Sequence, residues 1–271
     1  MKKYSAFPYV IWTALFILLP LVLILYYSLT VKNGVTGELV FSLANYVNLF
    51  HPLYLKVFAN SIYLAGLATL ICLILGYPMA MIISKMKHSQ TVLLLFILPM
   101  WMNFLLRTYS WMAILGRNGF INRLLSLLGV QLELLYNNNA VLLGMVYNFL
   151  PFMVLPIYTV LVKMDKSLIE AAYDLGCPPW LTFYKVIFPL SLPGVISGVT
   201  MVFMPAVSTF VISDLLGGGQ SVLIGNLVQE QFMKVNNWSF GSAISVILML
   251  FILMFMRLLH KIDSKYEGAV K

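Results

Sequence analysis

Six long apolar stretches constrain this chain more than any other feature of its sequence. A helix needs about 20 mostly apolar residues to cross the hydrocarbon core of a bilayer. The stretches cover residues 8–29, 58–84, 91–115, 140–162, 192–215 and 241–259. Since helices are the spanning structures that such apolar stretches form, the sequence predicts an all-α membrane protein with six transmembrane helices. Residues 1–271 would form a single transmembrane domain.

The composition agrees with a membrane protein. Of the 271 residues, 61% are hydrophobic and 10% are charged, whereas a soluble domain has about 25% charged residues. The two cysteines give no framework of disulfides or metal ligands. Residues 4–31 carry no charge, which is too long for the apolar part of a cleaved signal peptide, so we expect an uncleaved first span.

The net charge of +8 would suggest nucleic-acid binding in a soluble protein, but here the basic residues flank apolar spans and indicate orientation. With both termini inside, the inner segments carry Lys2, Lys3, Lys85, Lys87, Lys163, Lys166, Lys185, Arg257, Lys261, Lys265 and Lys271. The outer segments carry Lys32, Lys56, Arg107, Arg117, Arg123 and Lys234. This excess predicts that both termini are cytoplasmic.

A polar loop at residues 164–189 interrupts the apolar C-terminal half. Ser167 and Glu170 have the spacing of a capping box, which predicts a helix start. Gly176 would end that helix in the left-handed conformation, and Pro178 would open a second short helix. The sequence therefore predicts two short helices joined by a sharp turn on the cytoplasmic side.

The first of these helices has an apolar and a polar face. The apolar face would hold Leu168, Ala171, Ala172 and Leu175, and the polar face Lys166, Glu170, Tyr173 and Asp174. A helix of this kind is also typical of a segment that only rests on the membrane surface.

This loop resembles the EAA loop of binding-protein-dependent ABC import permeases. The matching residues are Glu170, Ala171, Ala172, Gly176 and Pro189, with Val186 and Phe188 in place of the usual Ile and Leu. The resemblance implies that the loop docks into a groove on a separate ATPase subunit. Coupling would fall to Glu170, Ala171, Ala172, Asp174, Gly176 and Pro189.

Further segments extend the resemblance over most of the chain. They are LGYPMA at 75–80, NFLLRTYSW at 103–111, LPFMVLPIY at 150–158, MDKSLIEAAYDLG at 164–176, and SDLLGGG followed by LIGNLVQEQF up to Phe232. These are similar to the PotB-like family of spermidine and putrescine permeases. The resemblance implies a type I ABC importer (MetI-like) fold in the plasma membrane of a prokaryote.

The same resemblance implies the partners and the substrate. They are a PotA-like ATPase dimer, a PotC-like second permease subunit, a PotD-like extracytoplasmic binding protein and a polyamine. No cofactor is implied.

Two ionisable residues near membrane depth are candidates for function, because charges there are costly. Asp214 lies just before a triple glycine and would attract a cationic solute near the outer mouth. It would alternatively cap a helix or pair with Arg107. Arg107 and Asn103 are predicted to form an outer gate in which Arg107 is braced by a carboxylate.

Four aromatic residues are candidates for the substrate pathway: Trp101, Tyr109, Trp111 and Tyr147. Aromatic faces attract ammonium groups. Aromatic residues also collect at membrane interfaces without any ligand, so both interpretations stay open.

The outer segments contain two predicted surface helices, at residues 41–50 and 120–128. They would receive a solute-binding protein, or act as lids. Asn45 and Tyr46 in the first segment fit both the family pattern and a capped interfacial helix.

No stretch matches the phosphate-binding loop of ATPases, so ATP hydrolysis is predicted on a separate chain. His51, His88 and His260 lie at span ends, which argues against an intramembrane enzyme, and no catalytic residue or metal ligand is predicted. An ion-driven carrier would usually show paired ionisable groups in mid-membrane. The remaining alternative is an ABC importer for an amino acid or an inorganic anion.

Overall fold

The computed structural model describes residues 7–32 and 38–267. The fold is mostly helical, as predicted, with one small antiparallel hairpin of β1 (Thr30–Lys32) and β2 (Leu39–Phe41). The helices are α1 (Phe7–Thr13), α2 (Leu19–Ser28), α3 (Ala44–Leu49), α4 (Pro52–Ser84), α5 (Ser89–Ile97), α6 (Phe104–Leu115), α7 (Phe120–Ser126), α8 (Asn138–Lys163), α9 (Lys166–Asp174), α10 (Pro179–Thr182), α11 (Phe188–Ser208), α12 (Val211–Gly217), α13 (Ile224–Met233) and α14 (Trp238–Glu267). Of the basic residues used to predict the orientation, Lys2, Lys3 and Lys271 lie outside the described residues.

Among the described residues, five helical segments are long and apolar enough to cross a membrane: Tyr9–Ser28, Pro52–Ser84, Asn138–Lys163, Pro179–Ser208 and Trp238–Ile262. Two further segments, Ser89–Trp101 and Phe104–Ser126, are long and apolar enough only when taken together, and they meet at 86°. Counting this pair as one span gives the predicted six. Single turns of π-helix join α1 to α2 (Ala14–Leu18) and α10 to α11 (Phe183–Ile187).

The third span is not the continuous helix predicted at 91–115. After α5 the chain forms a 3-10 turn at Leu98–Trp101, Met102 becomes extended, and the side chain of Asn103 accepts a hydrogen bond from the Leu105 N–H to start α6. Pro99 has no N–H to continue the α-helical hydrogen bonds. Helix α5 ends at Ile97, two residues before the proline, and α6 begins at Phe104 in a new direction.

The fifth span also differs from its predicted bounds of 192–215. It begins earlier, at Pro179, and ends at Ser208, where Thr209 adopts an extended backbone. The residues that follow form the separate helix α12. Asp214 therefore lies on a short helix beyond the span and not at the end of the span itself.

Helix α8 is at the centre of the core and packs against both α4 and α11. Small residues allow this close packing. A Cβ atom added at Gly194 of α11 would lie 2.9 Å from the carbonyl oxygen of Pro156, and one at Gly198 would lie 2.7 Å from the sulfur of Met153. A Cβ at Gly76 of α4 would lie 3.0 Å from the side chain of the same Met153. Van der Waals packing across small residues is what holds helices together in a membrane.

The predicted surface helices are present with shorter bounds. In the segment 41–50, Phe41 ends β2 and the helix is α3. The buried Asn45 amide donates to the carbonyl oxygens of Ser28 and Thr30, and the Tyr46 hydroxyl donates to the Ser28 hydroxyl. These two residues therefore tie α3 to the end of the first span. In the second segment, α7 lies within the predicted 120–128.

Candidate functional site

The polar loop at 164–189 begins with α9, which starts at Lys166 and is capped by Asp165. The Asp165 carboxylate accepts a hydrogen bond from the Ser167 N–H at 2.9 Å. The predicted capping box of Ser167 and Glu170 is therefore wrong, because the N-cap is Asp165, two residues before Ser167. The hydrogen bonds from the Ser167 backbone, and then from its side chain, lower the pKa of Asp165 below its usual value.

Helix α9 ends at Asp174, and Gly176 provides the left-handed stop that the sequence predicts. Gly176 has φ of +78°, its N–H donates to the Tyr173 carbonyl, and the Cys177 N–H donates to the Ala172 carbonyl. These two hydrogen bonds form a Schellman motif. The turn is therefore set by a backbone conformation that glycine adopts at little cost.

The second arm of the loop runs directly into a membrane span. Pro178 precedes α10, and Pro179 is its first residue, where a missing N–H costs nothing. The buried Thr182 hydroxyl donates to the Pro178 carbonyl. Because α10, the π-helical turn and α11 are continuous, with Pro189 near the start of α11, this arm belongs to the same uninterrupted helical segment as the fifth span.

The faces of α9 are not distributed as the periodicity predicted. Of the predicted apolar face, only Ala172 is buried, while Leu168, Ala171 and Leu175 are exposed. Ile169 is the half-buried neighbour of Ala172 on the inner side. The reason is that the main contacts of α9 are with α10 and the π-helical turn, so only a narrow stripe of its surface is covered.

An exposed apolar surface therefore runs along the loop. Leu175 is 85% exposed, and Trp180 and Tyr184 on the second arm are 70% and 68% exposed. Trp180 and Tyr184 were missed by the sequence analysis, although an aromatic residue in a polar loop is itself a signal of a contact surface. Together with Leu168 and Ala171 they form a surface suited to a partner protein.

The polar residues of α9 point in different directions. Glu170 and Tyr173 line a cavity between the loop and the ends of α4 and α8, whereas Asp174 is exposed. Glu170 thus faces the remainder of its own chain, at the side of the loop opposite the exposed Leu175.

At the other end of the spans, Asp214 is held by Asn226. The Asn226 amide donates to the Asp214 carboxylate and to the Phe210 carbonyl, and its oxygen accepts from the Ser213 hydroxyl and the Leu223 N–H. All hydrogen-bonding groups of this buried side chain are therefore used. Asn226 fixes an exposed carboxylate between α12 and α13, and the sequence analysis missed this role.

The triple glycine after Asp214 serves the packing of its own chain. A Cβ at Gly218, which has φ of +55°, would overlap the Tyr136 ring, and one at Gly217 would lie 2.9 Å from Ser221. The Tyr136 N–H in turn donates to the Leu216 carbonyl. Gly217 and Gly218 therefore allow close packing against neighbouring loop residues of the same chain.

The four aromatic candidates fall into two groups. Trp111 and Tyr147 pack edge to face with ring centroids 5.3 Å apart, which joins α6 to α8. Trp101 is 78% exposed, and Tyr109 is also exposed. The structure thus places Trp111 and Tyr147 in an aromatic contact and Trp101 and Tyr109 on the surface, and Tyr147 is itself 38% exposed.

Arg107 and Asn103 lie at the start of α6. Asn103 caps that helix. Arg107 is only 8% exposed, its guanidinium lies 6.0 Å from the Phe104 ring centroid, and its Nε has no hydrogen-bond partner. Among the described residues, Arg107 forms no ion pair, so the expected brace by a carboxylate, including Asp214, is not present in this conformation.

Comparison with known families gives a match over nearly the whole chain. Residues 4–267 match the model of the binding-protein-dependent transport system inner membrane component. The chain is 40% identical over 266 residues to the spermidine/putrescine transport system permease protein PotB of Escherichia coli strain K12, covering 94% of this chain and 97% of that protein. The PotB protein of Haemophilus influenzae is 41% identical over 87% of this chain and 84% of its own length.

Solved structures agree on the fold. A bacterial ABC transporter involved in the import of the acidic polysaccharide alginate has a chain that matches with a TM-score of 0.80 at 15% identity, covering 95% of this chain and 93% of that one. A chain of the MetNI methionine ABC transporter, in an inward-facing conformation, matches with a TM-score of 0.53 at 13% identity, covering 80% of this chain and 95% of the other. The architecture is therefore that of an ABC importer permease.

Proposed function

Because the chain belongs to the binding-protein-dependent transport system inner membrane component family, we propose that it is a transmembrane permease subunit of an ATP-driven importer of spermidine or putrescine. The observation that carries the substrate is the 40% identity to PotB over 94% of the chain. The chain would form half of the translocation pathway in a prokaryotic plasma membrane, with both termini in the cytoplasm.

The partners follow from this assignment. A second, PotC-like permease would form the other half of the pathway, a PotA-like ATPase dimer would supply energy, and a PotD-like binding protein would deliver the polyamine outside. The exposed surface of Leu168, Ala171, Leu175, Trp180 and Tyr184 supports an ATPase contact at the loop, since exposed apolar patches mark protein interfaces.

The loop geometry supports a lever mechanism. ATP-driven closure of the ATPase dimer would push the loop, and the turn at Gly176 would keep the two arms at a fixed angle. Because the second arm is continuous with α11, that push would tilt the fifth span and change access to the pathway. Ala171 and Asp174 would lie towards the ATPase, while Glu170, Ala172 and Pro189 would hold the loop to the membrane domain.

On the outer side, Asp214 would meet the ammonium groups of the substrate. Its carboxylate is exposed and held in place by Asn226, so it is preorganised to accept charge-assisted hydrogen bonds. Trp101, Tyr109, Trp111 and Tyr147 would supply aromatic surface along the pathway. Arg107 and Asn103 would form the outer gate, with the buried guanidinium gaining a partner in another state of the cycle.

Copurification tests the assembly. A tagged form of the chain, solubilised from its own membranes, is expected to bring along an ATPase subunit and a second permease. Reconstituted in vesicles with the binding protein, this complex should hydrolyse ATP faster when spermidine or putrescine is added. Uptake of polyamine by the chain alone, in vesicles without an ATPase, would contradict the proposal.

Replacing Asp214 with asparagine tests the cationic substrate. The substitution keeps an oxygen for the Asn226 hydrogen bond but removes the charge, and we expect spermidine uptake to fall about tenfold, because a hydrogen bond to a charged group contributes roughly 1.5–3 kcal/mol. Glu230→Gln, an exposed outer-side carboxylate on α13, is the matched control and should transport normally. Unchanged spermidine uptake by Asp214→Asn would show that the charge of Asp214 does not contribute to binding the substrate.

A further inference from the structure

A cavity of about 620 Å³ lies between the polar loop and the ends of two membrane helices. One wall is the end of α4 and the turn after it, a second is the end of α8, and the third is α9. The family match assigns no ligand to this place. In the lever mechanism the ATPase contacts the opposite, exposed side of the loop, and Glu170 on the cavity side only helps to hold the loop to the membrane domain.

Three lysines surround the cavity: Lys85, Lys87 and Lys166. All three are exposed, and none of them forms an ion pair with any other described residue. Glu170 is the carboxylate that lines the same cavity, so the lining carries a net charge of +2 from three lysines and one glutamate. Cations gathered in this way repel one another unless an anion lies between them.

The opposite end of the cavity is apolar. Met81, Leu161 and Val162 belong to its lining and lie within the last turn of α4 or α8. Helix α4 ends at Ser84 and α8 ends at Lys163, so the lysines stand at the level where both spans leave the hydrocarbon core. Such a site offers a basic rim for a headgroup and an apolar wall for an acyl chain.

We propose that this cavity binds the phosphate headgroup of an anionic phospholipid. Basic pockets between membrane helices on the cytoplasmic side are suited to such headgroups. The proposal rests on the proposed function for the cytoplasmic position of the loop. Glu170 and Tyr173 of α9 line the same cavity as Lys85 and Lys87, which lie in the turn after α4. The bound lipid would therefore connect α9 to the end of α4 and restrain the loop between the ATP-driven movements of the ATPase.

Native mass spectrometry of the purified transport complex tests this site. The complex is titrated with phosphatidylglycerol, with phosphatidylcholine as the zwitterionic comparison. We expect retained phosphatidylglycerol on the wild type, and about thirtyfold weaker retention by the double variant Lys85→Gln/Lys87→Gln, because each lysine near an anionic surface contributes about 1 kcal/mol. The control is Lys163→Gln/Arg257→Gln, which removes the same charge at the same end of the spans from exposed residues outside the cavity.

Each other outcome overturns the site. Equal retention of both lipids shows that charge is not recognised, and equal losses in the two double variants show a general surface effect. Displacement of phosphatidylglycerol by inorganic phosphate at equal concentration shows a free-anion site in place of a lipid site. Retention of the lipid by the membrane subunits alone, but not by the complex with the ATPase, shows that the ATPase covers the cavity. Lipid retention is measured without transport. A complex whose ATP hydrolysis does not respond to polyamines would therefore contradict the proposed function, while the lipid result could still be interpreted.

Discussion

Replacement of Gly194 with leucine is expected to prevent assembly of the membrane domain. A Cβ atom at this position of α11 would lie 2.9 Å from the carbonyl oxygen of Pro156 and 3.1 Å from the Cα of Ile157. Both are backbone atoms of α8, so no change of rotamer relieves the overlap. Overpacking by extra methylenes costs roughly 1–3 kcal/mol in a well-packed core, and here a whole side chain is added between the two central helices. We expect no monodisperse complex by size-exclusion chromatography.

The control for this experiment is Gly66→Leu. Gly66 lies on α4, and a Cβ there meets no described atom within 4 Å. The added apolar bulk is the same, but we expect that variant to give a complex with wild-type yield and thermal stability. Gly194→Ala should give an intermediate loss of stability. If Gly194→Leu were recovered as well as Gly66→Leu, the close approach of α11 to α8 would not be needed for assembly.

The spans could be predicted from the sequence because few backbone conformations are stable inside a bilayer. An apolar stretch of about 20 residues must satisfy its own backbone hydrogen bonds, and only a helix does so within one segment. The breaks were harder to predict. Pro99 and Pro205 both lie in apolar stretches, but one precedes an 86° bend and the other is inside α11, so proline alone does not locate a break.

The turn of the polar loop could be predicted because it depends on local backbone chemistry. Gly176 was expected to be left-handed, and its φ of +78° confirms this. The cap was wrong because Asp165 and Ser167 are both good capping residues, two positions apart, and the choice between them depends on the whole loop. The exposed stripe of Leu168 and Leu175 could not be predicted, because periodicity identifies an apolar face without saying whether the same chain covers it.

Contacts between distant segments were the least predictable. The Gly194 and Gly198 pair has the small-residue spacing typical of close helix pairs, a signal that the sequence analysis did not use. The hydrogen bonds of Asn226 to Asp214 and Leu223 had no such signal, since an asparagine in the first turn of a helix has many local partners.

Replacement of Gly176 with valine is expected to reduce polyamine uptake by about a hundredfold while the complex still assembles. A Cβ at Gly176 meets no described atom within 4 Å, so the substitution creates no overlap and acts through the backbone alone. A non-glycine residue held in the left-handed region costs roughly 1–3 kcal/mol, and most for a β-branched side chain. The chain would relieve this strain by breaking the hydrogen bonds to Ala172 and Tyr173, and the angle between the arms of the lever would be lost. ATP-driven spermidine uptake in vesicles is the measurement.

The matched control is Gly129→Val. Gly129 has φ of +73° and also has no described atom within 4 Å of a Cβ, so the backbone strain is equal, but the residue lies in the outer segment between α7 and α8. Gly176→Asn is the second comparison and should keep most of the uptake, because asparagine tolerates the left-handed conformation. Equal uptake by the two valine variants would mean that the fixed angle at Gly176 does not transmit the force of the ATPase. If Gly176→Val loses most of its spermidine uptake while Gly129→Val and Gly176→Asn remain active, the defect lies in the shape of the loop. The substitution at Gly176 changes neither side-chain contacts nor charge.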